Sequence, residues 1–175
     1  MSDVQSSFLT ESTALFQKQK ALAERAMSQV ADQDVFATLD AEANSIALIV
    51  RHLHGNMRSR WTDFLTADGE KADRQRDTEF ELPPSLTRAD VMRAWEQGWA
   101  YLFAALASLT PEDLGRTVTI RSQPLSVMSA ILRQLDHYGQ HVGQIVLLAK
   151  HSRGTAWQSL SIPRGKSDEY LRGKT

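Results

Sequence analysis

The stretch L-D-H-Y-G-Q-H-V-G-Q, residues 135–144, lies inside a longer run in which Met128, Ile131, Leu135, Val142 and Val146 recur at helical spacing. That run predicts a helix capped by Ser126 and extending to about Ser152. On such a helix His137 and His141 stand one turn apart on a single face, at the edge of the apolar stripe. Two imidazoles so placed can both approach one metal ion at about 2.0–2.1 Å. A histidine pair at this spacing also occurs on ordinary helix surfaces, half-exposed and hydrogen-bonded, and both readings stay open on this evidence.

Working outward, three more helical runs appear. Phe8, Leu9, Ala14, Leu15, Leu22 and Ala26 mark a first helix from about Ser6 to Ala31, and Leu39, Ile46, Val50, Leu53, Met57 and Phe64 mark a second from about Thr38 to Leu65. Thr87-Arg88-Ala89-Asp90 resembles a capping box with Asp in the Glu position, and it opens a third helix that carries Val91, Trp95, Trp99, Leu102, Phe103 and Leu106 and ends near Leu109. Trp61, Trp95 and Trp99 are core or interface anchors on this pattern. Between the second and third helices, residues 67–85 are charged and close on Pro83-Pro84, a connection longer than helical bundles usually carry and a candidate lid. Thr117-Val118-Thr119-Ile120 is a short β-prone connection, and residues 154–175 form a tail with room for one short helix. The pattern predicts an all-α fold, a four-helix bundle forming one domain over residues 1–175, with a long loop after the second helix and a short C-terminal extension.

Composition excludes several roles. The 20 Lys and Arg nearly balance 21 Asp and Glu, for a net charge of −1, and form neither a basic stripe for nucleic acid nor a polybasic arm for a membrane. With no cysteine, disulfides and protein thiolates are absent, so any metal is held by histidine or carboxylate. No apolar run approaches the length of about 20 residues that spans a bilayer, and the start of the chain lacks a signal-peptide pattern, so a cytoplasmic location is expected.

A third ligand has to come from another helix, and V-R-H-L-H-G-N-M offers His52 and His54. Two residues on a helix differ by about 200°, so both cannot face one site. The apolar stripe of the second helix lies nearer His54, whereas His52 shares its side with Ser45, Ile49 and Asn56. His151, about 15 Å beyond His141 along the axis, suits the negative end of the helix dipole and reads as a surface residue. Ligating histidines need acceptors for their outward ring nitrogens, and Glu42, Asn56, Asp136, Gln140 and Gln144 are candidates, Asn56 and Gln144 foremost. Arg58, Arg60, Arg74, Arg76 and Arg164 can supply a fork for a carboxylate or phosphate on a substrate, although Arg76 can equally pair with Asp77 or Glu79 and pin the loop.

H-L-x-G-N on the second helix and H-x-x-x-H-x-G-Q-I on the fourth resemble the DinB/YfiT-like superfamily over most of the chain. H-L-H-G-N-M-R-S-R-W-T-D-F-L-T, D-G-E-K-x-x-R-x-R-D-x-E-F and L-S-I-P-R-G-K-S resemble a bacterial subgroup within it whose function is uncharacterised. The resemblance implies a four-helix bundle of up-down-down-up connectivity, often a homodimer, with a metal held by three histidines near one end. Carried over by motif, the ligands are His52, His137 and His141, since the first histidine of the pattern precedes the Leu of H-L. This opposes the preference of the helical stripe for His54, and the motif is the better guide because a ligand has to face a polar site. Relatives of this type imply a thiol-dependent transferase using a low-molecular-weight thiol, or a hydrolase, acting on a small polar molecule. A divalent transition metal is then the cofactor, zinc or nickel ahead of iron, with metal-bound water or thiol as nucleophile. The alternatives are a non-catalytic metal-binding stress protein and a metal-free helical dimer acting as a scaffold.

Overall fold

Apolar side chains recurring every three to four residues build four long helices, α1 (Ser2–Met27), α2 (Ile46–Trp61), α3 (Arg88–Ala107) and α4 (Val127–Arg153), and a short α5 (Ser167–Arg172). The computed structural model describes residues 2–173. Among these, the strands are confined to one antiparallel hairpin, β1 (Thr117–Ile120) with β2 (Gln123–Ser126), so the fold is all-α in class. Among the described residues no helix is long and apolar enough to cross a membrane.

Local chemistry sets the helix ends. The Thr87–Asp90 capping box is present in both directions, and Ser126 Oγ accepts from the Ser129 N–H at 3.1 Å to start α4. The second helix is shorter than its periodicity suggests. Asp40 Oδ1 accepts from the N–H groups of Glu42 and Ala43 at 2.9 Å, a local turn that competes with helix, and α2 begins only after Ser45, whose Oγ accepts from the Leu48 N–H. It stops at Trp61, where Thr62 is extended and Asp63 has φ 49°. Phe64 nevertheless returns to the core, its ring 4.8 Å from that of Trp61, which is why the apolar stripe runs on past the helix.

The core centres on Phe16, Trp61, Trp95, Trp99, Leu102, Ile131 and Tyr138, all buried. Each large side chain so buried contributes about 1.5–3 kcal/mol. The main helix contacts are α2 on α3 and α1 on α4, with α2 also meeting α4. Gly98 brings α3 close to α2, since a Cβ there would stand 3.2 Å from His54 Cα. α2 and α4 run antiparallel where they meet: His52 lies against His137, while Asn56, one turn later in α2, lies against Gln134, earlier in α4.

The hairpin extends the β-prone stretch that the sequence marks. Its turn residues, Arg121 and Ser122, have φ of 55° and 60°, a conformation usually left to Asn-Gly. Asp68 compensates, its two carboxylate oxygens accepting from the Arg121 and Ser122 N–H groups at 2.8 Å each. The long connection is thereby tied to the hairpin on one side, and Gly69 N–H adds a bond to Thr119 O at 2.8 Å. At the other end of the chain, Arg25 of α1 and Gln29 just beyond it bind the backbone of Leu160 and Gln158 and seat the tail against α1.

Candidate metal centre

α2 carries His52, Asn56 and Arg60 at four-residue intervals, so one face of the helix presents all three. All three are buried, and they face α4 and the long connection rather than solvent. His52 Nε2 lies 3.4 Å from His137 Nε2, which in turn lies 3.2 Å from His141 Nε2, and the ligand atoms of the three residues lie within 4.8 Å of one another. Ligands at about 2.0–2.1 Å from one ion in tetrahedral geometry stand about 3.3 Å apart, so both of the short separations suit a shared cation.

The outer nitrogens decide which way the lone pairs point. His52 Nδ1 is 2.9 Å from Glu79 Oε2, and His141 Nδ1 is 2.8 Å from Gln144 Oε1. Both partners are acceptors, so each Nδ1 carries the proton and each Nε2 turns a lone pair inwards. His137 Nδ1 is buried without a partner. Burial, then the neighbouring His141 and His52, hold the His137 imidazole neutral, its pKa pushed down to about 3. Burial also lowers that of His141, against the opposing hydrogen bond from Gln144. Three imidazoles whose Nε2 atoms converge form a donor set for a borderline divalent metal. Among the described residues no fourth histidine or carboxylate joins the group.

Glu79 is the residue that sequence reasoning missed as a partner of His52. Its carboxylate takes the His52 Nδ1–H and two bonds from Arg74, Nε to Oε1 at 2.8 Å and Nη2 to Oε2 at 2.9 Å. Burial pushes Glu79 up, yet the hydrogen bonds from His52 and Arg74 outweigh it and leave the carboxyl below its ordinary range. The space for it comes from Gly55: a Cβ there would stand 2.1 Å from Glu79 Oε1. Glu70 extends the network, accepting from Arg74 Nη1, Arg60 Nη2 and Arg121 Nε at 3.3, 3.1 and 2.9 Å. Removing either partner of the buried Arg74–Glu79 pair leaves a charge uncompensated, at a cost of about 3–5 kcal/mol.

A cavity of about 410 Å³ opens beside His52 and His137, lined by Asn56, Gln134, Asp136 and Gln140 together with five arginines, Arg60, Arg74, Arg76, Arg121 and Arg133. Of the five arginines singled out for substrate, the structure therefore places Arg60, Arg74 and Arg76 on the cavity. Arg58 instead pairs with Asp73, and Arg164 lies exposed in the tail, outside the lining. Arg76 stands 4.0 Å from Asp77 and over the Phe80 ring, whereas Glu79 is taken by Arg74. Among the proposed acceptors, Gln144 meets His141, Asn56 bonds Gln134 and Tyr138 instead of a histidine, Asp136 pairs with Gln140, and Glu42 lines a separate cavity. Arg121 and Arg133 gave no sequence signal, one lying in a hairpin turn and the other on the exposed side of α4. His54 faces α3, its ring 6.4 Å from that of Tyr101, and His151 is exposed.

A model of one protein family, described as protein of unknown function (DUF1572), matches residues 3–166. No curated protein and no solved structure matches the chain.

Proposed function

Because the chain belongs to the DUF1572 family of proteins of unknown function, its role has to be read from the site, and we propose that it is a metal-dependent enzyme of the thiol-dependent transferase or hydrolase type acting on a small polar molecule. The observation that carries this is the convergence of three Nε2 atoms, two of them with Nδ1 turned to an acceptor, at the edge of an open cavity. His52, His137 and His141 would hold the ion, with zinc, nickel and iron as the fitting choices. Bound there, a divalent metal supplies Lewis acidity and the means to ionise a small thiol or a water near neutral pH.

The chain's own side chains do the rest. Glu79 and Gln144 keep His52 and His141 in the tautomer that presents Nε2, and Arg74 keeps Glu79 ionised. The guanidinium groups of the cavity draw in a polar substrate and orient it. Three protein ligands, with none added from a fourth among the described residues, favour an open site over one that only fastens α2 to α4. The pairing of α1 with α4 and of α2 with α3 supports a DinB/YfiT-like four-helix bundle of up-down-down-up connectivity, for which a homodimer is the expected assembly and twice the chain mass in light scattering the check.

The test is elemental analysis of protein purified without a metal-affinity tag, followed by a screen of thiol-transfer and hydrolytic substrates. Expected are about one equivalent of a transition metal per chain and turnover that chelation abolishes. No metal even after reconstitution would remove the proposal, and bound metal with no turnover would leave the ion as a structural fastener.

A further inference from the structure

Beside the cavity, four buried side chains form one hydrogen-bonded group. Trp61 Nε1–H donates to Tyr138 Oη at 3.0 Å, Gln134 Nε2 donates to Tyr138 Oη at 2.8 Å and to Asn56 Oδ1 at 2.7 Å, and Tyr138 O–H donates to Asn56 Oδ1 at 3.1 Å. With the two amides set this way, the Tyr138 oxygen accepts from the indole and its single proton goes to Asn56 Oδ1. Asn56 turns its oxygen into the protein and has no protein acceptor for its two Nδ2 protons, while Gln134 uses both of its protons and has no donor for Oε1. Asn56 is 5% and Gln134 3% exposed, and both line the cavity. These unpartnered atoms are therefore placed to meet a ligand there.

Asn56 stands one turn beyond His52 on α2, about 6 Å along the axis, and Arg133 stands one turn before His137 on the antiparallel α4. Both therefore lie to the same side of the histidines. Arg133 makes no ion pair among the described residues, and Arg121 uses only its Nε on Glu70, so guanidinium donors remain free where the Asn56 amide opens. We infer that this end of the cavity binds an oxyanion group, carboxylate or phosphate, of the substrate, with Asn56 Nδ2 and Arg133 as donors. Gln134 Oε1 then accepts from a hydroxyl beside that group. The assignment rests on the cavity being the substrate site of the proposed enzyme, and it narrows the small polar substrate to an acid whose reacting end reaches the three histidines.

Calorimetric titration of the chelator-treated full chain with inorganic phosphate and with acetate, at low ionic strength, tests this without the metal. Saturable binding of one anion per chain is expected, and the tighter of the two probes names the group. Arg133→Ala, an exposed change that leaves the fold intact, and Asn56→Asp, nearly isosteric but presenting a carboxylate where the amide donated, should each weaken binding about tenfold or more. Arg164→Ala, which removes an exposed arginine of the tail outside the cavity, should leave the anion affinity nearly unchanged. Absence of saturable binding, wild-type affinity in both Arg133→Ala and Asn56→Asp, or an equal loss in Arg164→Ala would overturn the assignment. Because the probes need no metal, an empty elemental analysis and a failed anion titration point to different errors.

Discussion

The two faces of α2 pack by different rules. Towards α3, Gly98 lets the backbones come within reach of a methyl group, and apolar Met57 closes the space. Towards α4 and the long connection, the same helix buries an imidazole, an amide and a guanidinium, none more than 6% exposed. The first face needs only shape and apolar area. The second stays folded because each group has a partner: Glu79 for His52, Gln134 and Tyr138 for Asn56, Glu70 and the Gly69 carbonyl for Arg60. The inward lone pair of His52 and the Nδ2 protons of Asn56 on this face lie beside the cavity and mark where a ligand belongs.

Perturbing each face in turn separates cohesion from chemistry. The largest effect belongs to the apolar core between the helices. Trp99, buried among Phe16, Trp95, Phe103 and Tyr138, should cost about 3–5 kcal/mol when replaced by Ala, measured by urea unfolding, while the protein that stays folded keeps its full metal content. Loss of metal in parallel with stability would mean that the two faces are not independent.

Gly55→Ala is next. Its methyl group would occupy the place of Glu79 Oε1, so the carboxylate has to leave His52 and Arg74, and metal affinity should fall about 10–100-fold in a competition titration. Wild-type affinity would show that Glu79 does not orient His52. A pH series on the metal-free protein comes third. The His137 pKa is about 3 in the fold against an ordinary 6.5, so between these values the unfolded chain binds a proton that the folded chain refuses. Stability at this residue is therefore complete above about pH 6.5 and declines as the pH falls towards 3, and His137→Ala should flatten that part of the thermal melting profile. The smallest effect is at Asp68, which holds the hairpin turn. Asp68→Ala should lower the melting temperature by about 2–4 °C and leave metal content unchanged.

Much of the fold was legible because it rests on local rules. Thr87 and Asp90 announce α3, Ser126 announces α4, and the apolar spacing between them needs no tertiary information. The stripe on α2 misled in two ways. It ran back to Leu39 across a turn that Asp40 organises, and it pointed towards His54 because a helix buried on two sides has no single apolar direction. Only the motif pointed to His52. Glu79 was illegible for a different reason: it lies 27 residues from His52 in the chain, and R-x-R-D-x-E reads as a loop pinned by its own ion pairs until Gly55 makes room for the carboxylate beneath α2. Arg133 looks like any exposed helix residue until the antiparallel approach of α2 puts a cavity beside it.

The central claim, that the chemistry lies on the α4-facing side of α2, is tested most directly by titrating metal-free His52→Ala and His54→Ala side by side with Co²⁺ and reading the ligand-field absorption. His54→Ala is expected to bind about one equivalent with the wild-type spectrum, and His52→Ala to lose the tight site. The reverse result, or an unchanged site in both variants, would contradict the account.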